Sequence, residues 1–214
     1  MDTGSHFIDL LLHLDRYLTA LVEQYGAWIY GILFTIIFCE TGLVVTPYLP
    51  GDSLLFAAGS VAAVGQLNVH ILFILLSAAA VLGNTVNYTV GHFLGEKVLS
   101  AENPRFLKKE YLVRTQHFFE QHGGKTIILT RFVPIVRTFA PFIAGAGRMS
   151  YGRFFAYNAI GGIAWTATFL YGGYCFGNLS IVKENFTLAI LGIIIVSLMP
   201  GAIEYWRHRA KAAA

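Results

Sequence analysis

The chain has 214 residues, 56% of them hydrophobic and only 13% charged, with a mean hydropathy of +0.60 and a formal net charge of +3. That balance excludes a soluble globular domain and leaves an integral membrane protein, expected to be a single membrane domain over residues 1–214. The modest charge gives no reason to expect a nucleic-acid partner. Cys39 and Cys175 lie in separate apolar segments without metal-ligand spacing, so no disulfide, metal or cofactor is expected. The N-terminus lacks a basic stretch leading into an apolar run with a small-residue cleavage site, so no removable signal peptide is expected.

From the N-terminus, Phe7 to Tyr25 alternates Leu, Ile and Phe with Asp9, His13, Asp15, Arg16 and Glu23 at helical spacing, the pattern of an amphipathic helix in the membrane interface. Ala27 to Thr46 is apolar except for Glu40, and Pro47, Pro50 and Gly51 then interrupt it. Proline lacks the amide hydrogen that a helix needs and clashes with the preceding turn. The next apolar run, Ser53 to Val64, is shorter than the roughly 20 residues a spanning helix requires, so residues 27–64 are expected to form a re-entrant helical hairpin. Val69 to Phe93 is long enough to span. Its second half carries Gly83, Asn84, Asn87, Tyr88 and Gly91, small and amide side chains that favour close helix contact.

Glu96 to Lys125 is the polar centre of the chain, with six Lys/Arg, four Glu and an apolar stripe through Phe106, Leu107, Tyr111, Phe118 and Phe119. A second interfacial helix is expected there. Residues 126–147 hold Arg131, Pro134, Arg137 and Pro141 in an otherwise apolar setting and read as a second broken hairpin. Phe154 to Phe176 and Phe186 to Tyr205 read as spanning helices. Trp28, Tyr30 and Trp206, at segment ends, are expected to anchor in the interface. Eleven of the 15 Lys/Arg fall in segments that this topology places on one side, which the positive-inside rule makes cytoplasmic. The N-terminus is then external and the C-terminus internal; a full crossing by Ala27 to Thr46 would instead place the acidic N-terminus inside, which the charge bias argues against.

Short internal matches divide the chain in two. Glu23-Gln24-Tyr25-Gly26 matches Glu120-Gln121-His122-Gly123 at an offset of 97, and the same offset superposes Glu40-Thr41 on Arg137-Thr138. Phe56-Ala57-Ala58-Gly59 answers Phe142-Ile143-Ala144-Gly145 at 86, and Gly91 with Gly95 answers Gly173 with Gly177 at 82. The expected fold is therefore all-α: an inverted repeat of interfacial helix, re-entrant helical hairpin and transmembrane helix, plus a C-terminal transmembrane helix. The halves are 1–95 with hairpin 27–64 and 96–177 with hairpin 126–147, followed by 178–214. Inverted repeats whose broken helices meet at the midplane are the layout of many secondary transporters. The glycine pairs also allow close packing within or between subunits, so a homodimer is one expected arrangement.

An ionised group near a bilayer centre costs roughly 2.5–3.5 kcal/mol even on lenient scales, so the four in the hairpins must pair or line a polar cavity. Arginine's planar fork of donors suits phosphate or carboxylate, which makes Arg131 and Arg137 the candidate anion-binding pair, set against a scaffold role in ion pairs. Glu40 and Asp52 are candidate proton-linked groups or ion-pair partners, and Asp52 has an additional reading as an N-cap in Gly51-Asp52-Ser53. Asn84, Asn87 and Tyr88 are candidate cavity-lining residues, although helix-to-helix hydrogen bonding is the favoured reading for the amides. No Ser/His or metal-ligand grouping lies near these charges, so no catalytic residue is assigned.

Phe38-Cys39-Glu40-Thr41-Gly42, Leu49-Pro50-Gly51-Asp52-Ser53-Leu54-Leu55, the series Gly83-Asn84, Asn87-Tyr88, Gly91 and Gly95, and Thr130-Arg131-Phe132-Val133-Pro134 followed by Arg137-Thr138 and Ala144-Gly145 together resemble the DedA family of bacterial inner-membrane proteins. The resemblance covers nearly the whole chain. It implies a lipid transporter rather than an enzyme: a flippase returning undecaprenyl phosphate across the inner membrane, linked to the proton motive force. It also implies that the family's essential acidic pair falls on Glu40 and Asp52 and its essential basic pair on Arg131 and Arg137. The chain departs from the family at Asn84, where an acidic residue is frequent, and at His92, where arginine is frequent. The alternatives are a general phospholipid scramblase, a proton-coupled exchanger of small ions and, less favoured, a membrane lipid phosphatase.

Overall fold

The computed structural model describes residues 14–43, 51–99, 125–147 and 149–177, together with 179, 182 and 192. Among these residues every regular element is helical. Helix α1, Leu14–Tyr25, ends at Gly26, whose φ of 51° is the left-handed conformation that glycine adopts without a Cβ penalty. The chain turns there into α2, Trp28–Gly42, which buries Ile29, Leu33, Ile37, Glu40, Thr41 and Gly42. Spacing by three and four residues puts these on one face, and that face lies against α4. Residues 44–50, which hold Pro47 and Pro50, lie outside the described residues. Helix α3, Gly51–Ala63, is buried almost all round because its Ala, Gly and Ser side chains let neighbouring backbones approach. Gly65, with φ of 85°, reverses the chain toward α4, Val69–Leu99.

Asn68 caps α4. Its Oδ1 accepts from the amides of His70 at 3.0 Å and Ile71 at 3.1 Å, and its own amide donates to the Tyr30 hydroxyl at 2.8 Å. Tyr30 therefore ties the start of α4 to α2 as well as marking a segment end. Asn68→Ala should lower stability by about 1 kcal/mol and Asn68→Asp should not, as read from unfolding midpoints of the purified protein in detergent. Among the described residues α4 is the one helix both long and apolar enough to cross a membrane, over Val69–Leu94. It continues to Leu99, past the expected end at Phe93, because Glu96 and Lys97 are good helix formers even though they are not apolar.

The segment 126–147, read from the sequence as a second hairpin, is broken at Val133–Pro134. Helix α5, Thr126–Leu129, tightens into a 3₁₀ turn at Thr130–Phe132, and Val133 is extended before Pro134 opens α6, Pro134–Ala146. A residue preceding proline is driven out of the helical region, and proline at a first helical position has no amide to leave unsatisfied. Helix α7, Tyr151–Phe176, starts three residues before the apolar segment at Phe154, with extended Ser150 at its N-cap position. It is 26 residues long, about 39 Å at the helical rise. The expected interfacial helix over Glu96–Lys125, the helix over Phe186–Tyr205 and the start of the first helix at Phe7–His13 fall largely or wholly outside the described residues.

Two helix pairs are pressed together at glycine. Helix α3 packs on α7, where a Cβ on Gly59 would strike the Leu170 carbonyl and one on Gly173 would strike the Phe56 carbonyl. Helix α6 packs on α4, where Gly91 faces the Phe142 carbonyl and Gly145 faces the Tyr88 carbonyl. Gly91, Gly173 and Gly177 thus pack within the chain. Helix α3 thus lies on α7, and α6 on α4. A third approach, Gly42 to Gly83, sets α2 against α4.

Candidate functional site

Helices α2, α3 and α6 meet at Arg137. From α6 its Nη2 donates to Glu40 Oε1 on α2 at 2.5 Å, and its Nη1 donates to Asp52 Oδ1 on α3 at 2.8 Å. All three residues are at most 9% exposed. Both carboxylates sit at the N-terminal end of α3: Asp52 is in its first turn, and the Gly51 amide donates to Glu40 Oε1 at 3.3 Å. The unsatisfied amides and partial positive charge of that terminus add to the field of Arg137. Gly51 is required by this approach, because a Cβ there would overlap the Glu40 carboxylate. Glu40 Oε2 is buried and, among the described residues, has no hydrogen-bond partner.

Arg131 occupies a separate position. It sits in the 3₁₀ turn at 1% exposure, and among the described residues no carboxylate lies within ion-pair distance of it. Its Nη2 donates to Asn158 Oδ1 at 2.5 Å and reaches the carbonyls of Ala80 and Asn158 at 3.3 Å. Asn84 borders this side: its Nδ2 donates to Asn158 Oδ1 at 3.1 Å, and with the amide turned over its Oδ1 would instead accept from Arg131 Nη2 at 2.9 Å and its Nδ2 donate to the Thr41 carbonyl at 3.2 Å. Among the described residues the Nε and Nη1 atoms have no hydrogen-bond partner. Three of the five guanidinium N–H donors are therefore open. The side chain lies over Gly161 and Gly162, where an added Cβ would come within 3.1 Å of Arg131 Cδ and 3.3 Å of its Nη2 respectively.

The four charges anticipated in the hairpins are thus not one symmetric quartet. Glu40, Asp52 and Arg137 form an ion cluster, while Arg131 is held by neutral oxygens. Asn87 joins three helices, its Nδ2 donating to the carbonyls of Thr138 at 2.9 Å and Thr41 at 3.4 Å. The Tyr88 hydroxyl donates to the Met149 carbonyl, and its ring stacks on Phe154 with centroids 4.3 Å apart. Two contributors escape a reading of the sequence. Asn158, fully buried, holds Arg131 and donates its Nδ2 to the Val81 carbonyl at 2.9 Å. Trp165 donates its Nε1–H to Asp52 Oδ1 at 2.8 Å. Their signal is positional: an amide and a tryptophan in the middle of a segment that the sequence reads as spanning, away from the ends where tryptophan is usual. Among the described residues no three His, Cys, Asp or Glu gather in a metal-binding group.

The chain is similar to known proteins. Residues 49–175 match the VTT domain. The chain is 55% identical to protein DedA of Escherichia coli over 215 aligned residues, covering 100% of this chain and 98% of that protein. It is 42% identical to an uncharacterized membrane protein of Mycobacterium tuberculosis, over 85% of this chain and 80% of that one. It is 36% identical to the inner membrane protein YqjA of Escherichia coli, over 70% and 68%. No solved structure matches the chain. On the match to more than half its length and the full-length identity, the chain belongs to the DedA family of VTT-domain membrane proteins.

Proposed function

We propose that the protein is a transporter that moves an anionic lipid phosphate, undecaprenyl phosphate in the first instance, across the bacterial inner membrane. The phosphate passes through the hairpin junction while the hydrocarbon tail stays in lipid. The observation that carries this reading is Arg131, a buried guanidinium that, among the described residues, has three open N–H donors and only neutral oxygens as partners. A buried cation lacking a counter-ion is costly, and the ligand that matches open guanidinium donors is a phosphate or carboxylate. Arg137 supplies the second contact. An arriving phosphate competes with Glu40 and Asp52 for it, and carboxylates that lose their cation in a low-dielectric site take up protons, which links transport to the proton motive force.

The reciprocal glycine contacts support reading the halves as an inverted repeat. The contacts Phe56–Gly173 and Gly59–Leu170 become Phe142–Gly91 and Gly145–Tyr88 under the offsets of 86 and 82 already present in the sequence. Rocking of one half on the other would open the junction to either side in turn.

The test is reconstitution in liposomes. Wild-type protein should move undecaprenyl phosphate faster than ordinary phospholipids, and a pH gradient should change the rate. Arg131→Gln should reduce the rate at least about tenfold, and Arg131→Lys should recover part of it, since lysine restores charge without the fork. Equal rates for all lipids would replace the flippase by a scramblase. Small-cation flux without added lipid would favour an ion exchanger, and phosphate release from polyprenyl diphosphate would favour a phosphatase.

A further inference from the structure

Trp165 is the largest fully buried side chain among the described residues. It is more than filler. Its single polar hydrogen goes to Asp52 Oδ1 at 2.8 Å, and the Arg137 guanidinium carbon lies 5.2 Å from the centroid of its ring. Asp52 Oδ1 therefore accepts from two helices at once, Arg137 on α6 and Trp165 on α7. Helix α7 brings no charge to this cluster, and Trp165 is its contact with both a carboxylate and the arginine. Tryptophan combines one indole N–H with an electron-rich face that attracts a cation. Phenylalanine has the face alone, and glutamine or histidine the donor alone.

We propose that Trp165 is a positioning residue for headgroup transfer: its N–H fixes Asp52, and its ring seats Arg137 when an anionic lipid headgroup draws the arginine off the carboxylates. This rests on the lipid-phosphate reading. An arginine held only by Glu40 and Asp52 has two states, paired with them or carried off by the competing anion. Attraction to the ring depends on neither carboxylate, so it persists while the ion pairs weaken and keeps the guanidinium at the junction. The bond to Asp52 meanwhile keeps that carboxylate where Arg137 can return to it once the headgroup leaves. Preorganisation of this kind acts on transfer rate more than on capture of the lipid.

The test uses the full chain in liposomes with undecaprenyl phosphate. Substituting 3-benzothienylalanine at position 165 replaces the N–H by sulfur with almost no change of shape. Fluorinated tryptophans there keep the N–H and weaken the ring's attraction for a cation. The benzothienyl protein should lose at least about tenfold in maximal translocation rate with less than a threefold change in half-saturating lipid. The rate should also fall stepwise with each added fluorine. Trp165→Phe should match the benzothienyl protein, and co-elution with wild type in size-exclusion chromatography would show that the fold persists. Wild-type rates from both the benzothienyl and the fluorinated proteins would overturn the role of Trp165 while leaving the transporter reading intact. Failure of the unsubstituted protein to move lipid phosphate would overturn that reading, and the headgroup role of Trp165 with it.

Discussion

Arg137→Gln should abolish lipid-phosphate translocation and destabilise the protein by about 3–5 kcal/mol, because it leaves the carboxylates of Glu40 and Asp52 buried together with their shared cation gone. The two effects are separable. Adding Glu40→Gln and Asp52→Asn to the same chain removes the stranded charges, so the triple variant should regain most of its stability and none of its transport. Unfolding midpoints in detergent and flux in liposomes read the two quantities independently. Full transport by the triple variant would show that the cluster is scaffold alone. Exchanging Glu40 and Arg137 has a more complex outcome than a simple pair allows. Arg137 also holds Asp52, so a glutamate at 137 faces a second carboxylate, although an arginine at 40 can still neutralise one of the two. The exchange should harm stability less than Arg137→Glu alone and should not restore wild-type stability.

Gly173→Leu should be as damaging by a different route. A single Cβ at Gly173 already meets the Phe56 carbonyl, and the reciprocal Gly59 meets the Leu170 carbonyl. Any larger side chain must push α3 off α7. Overpacking a close helix contact costs roughly 1–3 kcal/mol, and more where backbone rather than a side chain is the obstacle. The site moves with the crossing, since α3 carries Asp52 and α7 carries Trp165. Transport should therefore fall together with stability. Gly172 is the internal control: a Cβ there meets nothing within 4 Å, so Gly172→Leu should leave both unchanged. Loss at Gly172 equal to loss at Gly173 would show that bulk anywhere on that helix is the cause. Gly91→Leu, at the α4–α6 contact, should behave as Gly173→Leu does.

Much of this architecture is legible in the chain because its determinants are local. Gly51 and Pro134 mark breaks in apolar sequence, and the structure begins α3 at Gly51 and α6 at Pro134, with Val133 extended as a residue before proline must be. Apolar length marks α4 as a spanning helix. The cost of a charge in hydrocarbon singles out Glu40, Asp52, Arg131 and Arg137 before any coordinates exist. Helix ends are less legible. Hydropathy reports burial while the backbone follows caps and propensity, so α4 outruns its apolar segment and α7 begins ahead of its own.

What the sequence by itself determined was the membrane class, the helix starts at Gly51 and Pro134 and the four charges that had to find partners, since each follows from the chemistry of neighbouring residues in a solvent of low polarity. Only the tertiary structure decided who those partners are. It gave both carboxylates to Arg137, set Trp165 against that cluster, and left Arg131 to Asn158 with open donors. The physical reason is that pairing depends on which helix faces cross, and these crossings are fixed by backbone approach at Gly59, Gly91, Gly145 and Gly173, between segments separated by up to 117 residues in sequence.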